Sequence, residues 1–124
     1  MRIPYARLES MTETEIARLA RQLPKEVRQA LRDVPVHLHA RPDADIAKDF
    51  GEDLLGLFSG EARQDRGETL LPEPPQIHLY LENIWAFADH EIDAYMEEVR
   101  ITLLHELGHY LGWDEADMER YGIA

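Results

Sequence analysis

Between Glu91 and Leu111 the sequence places Ile92, Met96, Val99, Leu103, Leu107 and Tyr110 three or four residues apart. At about 100° per residue these side chains form a single apolar stripe, the signature of a long helix that buries one side. Such a helix runs roughly 30 Å, a large element for a chain of 124 residues. The remaining residues therefore have to be arranged to cover its stripe. Gly112 follows at once, and glycine adopts the left-handed conformation that ends a helix without a Cβ clash.

The same helix carries His105-Glu106-Leu107-Gly108-His109, an H-E-x-x-H pattern. His105 lies roughly 150° from the centre of the stripe and His109 roughly 40° from His105. Two imidazoles thus leave the helix on one side, nearly opposite the core, close enough to serve one metal ion. Neutral imidazole is a preferred ligand of Zn²⁺. A carboxylate directly after the first histidine is suited to take a proton from a water that the ion polarises, and to return it to a leaving group. This makes His105 and His109 candidate metal ligands and Glu106 the candidate general base. A tetrahedral site that retains one open position needs a third protein ligand. Written from His105, the chain reads H-E-L-G-H-Y-L-G-W-D-E, which puts Glu115 in the eleventh place, where metzincins carry histidine. Glu115 is the first candidate and Asp114 the alternative, with Asp117 and Glu119 further off. All four also suit the first turn of a solvated helix, where acids complement the helix dipole.

Charge narrows the partners. Lys plus Arg is 13 against 25 for Asp plus Glu, a formal charge of −12. Nucleic acids and anionic membranes call for a basic footprint, so neither is expected as a partner. Residues 63–124 hold 14 of the acids and only four bases, so the negative excess belongs to the half with the histidine motif. The first 32 residues are mildly basic, which reads as a solvated helix face. No cysteine is present, excluding disulfides and thiolate ligands. The sequence shows no apolar run of membrane-spanning length and no signal-peptide pattern at its start, so a cytoplasmic location is expected.

One domain spanning residues 1–124 accounts for the whole pattern. Ser10 and Glu13 have capping-box spacing, predicting a helix with Ile16, Leu19, Ala20 and Leu23 inward, and a second short helix after Pro24. Strands are predicted at Val34–His39, Leu54–Phe58 and Ile77–Leu81, with a short helix near Ile46–Phe50. Residues 61–75 read as a long loop, and Asn83–His90 as a connection. In the third strand Ile77, Leu79 and Leu81 face one way and His78 and Tyr80 the other. His37 and His39 form an H-x-H pair that reads first as solvent-facing strand histidines, and as a metal pair second.

The motif, together with Leu54-Leu55-Gly56-Leu57-Phe58-Ser59-Gly60, the Pro-rich loop, the Ile77–Leu81 strand and the Asp114–Gly122 ending, resembles the small bacterial zincin-like metallopeptidases, sometimes called minimal metalloproteases. The resemblance covers most of the chain. It implies an α+β zincin-like fold, a small sheet packed with helices and an active-site helix near the C-terminus. It also implies Zn²⁺ held by His105 and His109, with Glu106 catalytic. The eleventh position, often Asp in relatives, is Glu115 here, one methylene longer. No metzincin-style Met-turn is evident, and Met118 reads as a packing residue. The implied activity is zinc-dependent peptide-bond hydrolysis, with a peptide or protein substrate paired along Ile77–Leu81 by strand addition. His78, Tyr80, His90 and Tyr110 are candidate oxyanion donors. The few residues after Glu115 form no second subdomain, leaving an open groove. Two rivals follow: a metal-binding interaction module with little or no turnover, and a structural site closed by Asp117 or Glu119.

Overall fold

Pro4 sets where the first helix begins. The computed structural model describes residues 2–63 and 73–123, and α1 runs Tyr5–Gln22 with Pro4 at its N-cap. Ser10 is therefore interior to the helix rather than its cap. Proline has no N–H to lose at a helix start, and the earlier start brings Leu8 into the core at 1% exposure. The buried side of α1 is Leu8, Thr12, Glu15 and Leu19, while Ile16 and Ala20 lie at its margin, half-buried. Two polar residues hold this face. Thr12 Oγ1 meets the Tyr95 hydroxyl at 2.7 Å, and the Glu15 carboxylate takes both a 3.0 Å bond from Arg18 Nε and a second bond from its Nη2. Pro24 interrupts the chain as expected, and α2 (Lys25–Asp33) buries Val27 and Ala30.

Next come β1 (Val36–His39), α3 (Ala44–Phe50), β2 (Gly56–Ser59), β3 (Gln76–Tyr80), α4 (Leu81–Phe87), α5 (Ile92–Leu111) and α6 (Glu115–Arg120). The fold is α+β, with six helices and one three-stranded sheet among the described residues. The predicted strands hold within two residues. The 61–75 loop lies partly outside the described residues, at 64–72. Asn83–His90 is not a simple connection, because most of it belongs to α4, which leaves β3 with no turn residue between. None of the described helices is long and apolar enough to cross a membrane.

The sheet order is β1-β3-β2, with β1 parallel and β2 antiparallel to β3. Both edges of β3 are thus occupied, so Ile77–Leu81 has no free edge for an added strand. The edge strands are β1 and β2. Ile77 and Leu79 are fully buried on the side facing α5. Tyr80, expected on a polar face, is 3% exposed and stacks on His39 at 5.4 Å.

α5 is the central support. Glu91 caps it by accepting from Asp93 N and Ala94 N, and Gly112 ends it in the left-handed region at φ 73°. Val99, Leu103, Leu107 and Tyr110 of the predicted stripe are buried, whereas Ile92 stays 44% exposed. Tyr95, Thr102, Leu104, Gly108 and Leu111 widen the buried side, because α1 and the sheet pack on the same helix.

The Tyr95 phenol gives a direct test of the α1–α5 interface. Burial pushes it up to about 12, although the Thr12 hydrogen bond pulls the other way. The folded protein therefore keeps a proton that the unfolded chain releases near pH 10. This contribution to stability is expected to be intact below about pH 10 and to fall as pH rises toward about 12. Urea unfolding at stepped alkaline pH measures it, and Tyr95→Phe should flatten that decline.

Candidate metal centre

Two facts of packing define the site: α5 turns His105 and His109 to solvent, and β2 crosses above Glu106. The imidazole centroids are 4.9 Å apart and the rings meet edge to face at 82°. His109 Nε2 lies 3.9 Å from Glu106 Oε1. Each of His105, Glu106 and His109 offers one donor atom within 4.8 Å of the others, making them a group placed to hold a metal ion. The His109 side chain is 53% exposed and that of Glu106 only 13%. The ligand candidates are open while the candidate base is sheltered.

The shelter comes from β2. A Cβ on Gly56 would stand 2.6 Å from Thr102 Cγ2 and 3.4 Å from Glu106 Cγ, so only glycine lets the strand pass this close to the helix. Phe58 then extends over α5, its ring 6.2 Å from that of Tyr110, and its backbone N–H donates to the Glu106 carboxylate. Burial raises the Glu106 pKa above the ordinary carboxylate value, with His105 and the Phe58 N–H pulling it back. Leu57, Phe58, Gly60, Ala62, Glu106 and His109 line an open groove of about 350 Å³. Sequence reasoning did not single out Gly56 or Phe58 for the site. The available signal was a glycine inside an apolar strand, which marks a close backbone approach.

Beyond Gly112 the chain doubles back. Met118 and Trp113 close over Gly108, which docks α6 on α5 and bears out Met118 as a packing residue. Asp114 is the N-cap of α6 and forms a capping box with Asp117. Its Oδ1 accepts from Asp117 N at 2.9 Å, and Asp117 Oδ2 accepts from Asp114 N at 3.1 Å. Glu115 is the first residue of α6 and is exposed, as is Glu119. Neither Asp114 nor Glu115 belongs to the group that lies within 4.8 Å.

The candidate oxyanion donors fall elsewhere. His78 contacts His39 on the other face of the sheet, and Tyr80 is stacked behind it. His90 sits against Trp85 at 5.6 Å. Tyr110 is core, at 1% exposure.

Residues 31–123 match the family described as zincin-like metallopeptidase. The comparison with curated proteins gives no match. The matched span contains β1 through α6, including the strand that shelters Glu106 and the helix with both imidazoles, and the chain belongs to the zincin-like metallopeptidase family.

Proposed function

We propose that this protein is a zinc-dependent peptidase in which His105 and His109 hold the ion and Glu106 is the general base. The observation that carries this reading is the sheltered Glu106 carboxylate beside two solvent-facing imidazoles, all within 4.8 Å. Two imidazoles on one helical turn suit Zn²⁺. Glu115 supports a complete set, because it is an exposed carboxylate at the turn back from the motif with no capping duty, whereas Asp114 and Asp117 are committed to each other. That commitment also disfavours a structural site closed by Asp117.

When bound, Zn²⁺ supplies Lewis acidity that polarises the scissile carbonyl and acidifies a water. Glu106 takes one proton from that water as its oxygen bonds to the carbonyl carbon. The carbon–nitrogen bond then breaks, and Glu106 returns the proton to the departing amine. Its raised affinity for a proton suits both halves of this cycle.

β2 offers the substrate path. Leu55 O accepts from Tyr80 N at 2.9 Å, so Leu55, Leu57 and Ser59 bond toward β3 while Gly56 and Phe58 direct their backbone groups to the outer edge. An extended peptide added to that edge lies next to Glu106 and His109.

The openness of the groove favours one second reading, a metal-dependent interaction module with little turnover. Zinc-loaded protein assayed on a peptide library separates the two, since a module takes up metal and cleaves nothing. Under the proposal, chelation removes cleavage and added Zn²⁺ restores it. Glu115→Ala is expected to weaken zinc binding by at least about tenfold, while Asp114→Asn retains zinc and costs little stability, because Asn caps a helix about as well as Asp. Zinc titration and urea unfolding check the pair, and an equal loss of zinc in Asp114→Asn would move the ligand to Asp114.

A further inference from the structure

The sheet face turned away from α5 carries three histidines that the peptidase reading does not use. In the parallel register His37 is paired with His78, and His39 with Tyr80. This puts His37, His39 and His78 on one face, since Ile77 and Leu79, which flank His78, point into the core. The His37 and His78 rings are 5.2 Å apart, His39 and His78 are 5.1 Å apart, and His37 and His39 are 6.4 Å apart. The three rings thus form a triangle, with His78 the nearest neighbour of both others. His37 is exposed and the other two are half-buried, so the cluster opens to solvent.

We infer that His37, His39 and His78 form a second metal site, separate from the H-E-x-x-H centre, for a divalent ion that prefers nitrogen ligands in a square plane, of which Cu²⁺ is the type. The inference stands on spacing and donor chemistry. His39 Nε2 and His78 Nδ1 are 2.9 Å apart. Two nitrogens at adjacent corners of a square plane, each about 2.0–2.1 Å from the ion, are separated by about 2.9 Å, whereas a tetrahedral ion spreads them to about 3.3–3.4 Å. The spacing that now accommodates a shared proton matches adjacent corners of a square plane, and the two rings, which now face each other, turn their donor atoms outward to receive the ion. His37, whose ring centroid is 5.2 Å from that of His78, supplies a further corner by rotating its exposed ring.

The electrostatics agree. Burial and the neighbouring imidazoles hold the pKa values of both His39 and His78 below the ordinary value, which favours the neutral rings that metal binding requires. Asp43, whose Oδ1 caps α3 through Ile46 N at 2.9 Å, acts on both rings with the opposite sign. Its negative charge would offset that of an incoming cation. A solvated pair of strand histidines needs no such convergence of a third ring from the neighbouring strand.

The test uses untagged full-length protein carrying His105→Ala and His109→Ala, so that the result does not depend on the peptidase reading. Cu²⁺ is titrated calorimetrically, with electron paramagnetic resonance of the loaded sample. The expected result is one equivalent of Cu²⁺ at micromolar or tighter affinity, with hyperfine coupling from at least two imidazole nitrogens. Adding His39→Gln or His78→Gln should weaken binding at least about tenfold, with circular dichroism unchanged. If either change disturbs the fold, His37→Gln replaces it, because that ring is exposed, and its expected signature is loss of one nitrogen coupling. Failure of the His105/His109 double variant to retain Cu²⁺, or unchanged binding after the added histidine substitutions, overturns the inference.

Discussion

Glu106→Gln is expected to lower metal-dependent peptide hydrolysis by about 10²–10⁴-fold while zinc content stays the same. The substitution preserves shape and leaves a carbonyl oxygen to accept from the Phe58 N–H that now reaches the carboxylate. What it removes is the capacity to take a proton. His105 and His109 project from the exposed side of α5, and the glutamine keeps the volume beside them. The loss should therefore appear in kcat, with KM little changed and zinc stoichiometry preserved. A parallel fall in zinc content would instead make Glu106 a ligand.

Leu103→Ala is expected to cost about 2–5 kcal/mol of folding stability, a large share of the roughly 5–15 kcal/mol typical of a domain. Leu103 is fully buried on α5, within the common core that α1, α4 and the sheet share with that helix. Deleting its side chain leaves a cavity that several rigid elements border, so collapse around it is limited. Ile92 occupies the same apolar stripe in sequence yet is 44% exposed, and Ile92→Ala should change stability by no more than about 0.5 kcal/mol. Urea unfolding of the two variants, with equal m-values, tests the contrast.

What could be read in advance was what rests on neighbours in sequence. The α5 stripe, its end at Gly112 and the shared side of His105 and His109 all follow from helical spacing. So does the break at Pro24 between α1 and α2. Contacts between distant segments could not be read this way. The central position of β3 depends on a parallel partner about 40 residues upstream, Val36 with Ile77, and no local pattern encodes which of three strands lies in the middle. That one unreadable fact leaves Ile77–Leu81 without a free edge and makes β1 and β2 the edge strands. Thr12 and Glu15 went unnoticed as core residues because polar side chains signal burial only when their partners, Tyr95 and Arg18, are known. α4 was hidden because Tyr80 passes into Leu81 without glycine, proline or an N-capping side chain. Likewise, H-x-H spacing named His37 and His39 as neighbours, but only strand pairing adds His78 to them.

The grouping of His105, Glu106 and His109 on one side of α5 was legible from helical spacing. Spacing proposed both Asp114 and Glu115 as the third ligand. The structure separates their duties, since Asp114 is engaged in the α6 capping box and Glu115 is not. Gly56 is the residue whose importance emerged only in three dimensions, because it sets how closely β2 approaches Thr102 and Glu106.

The most direct test of the account is digestion of a mixed peptide library, read by mass spectrometry, with zinc-loaded wild type and zinc-loaded Glu106→Gln side by side. The account predicts defined cleavage products from wild type and almost none from Glu106→Gln, at equal zinc content. Cleavage of equal extent by both proteins, or none by zinc-loaded wild type, would contradict it.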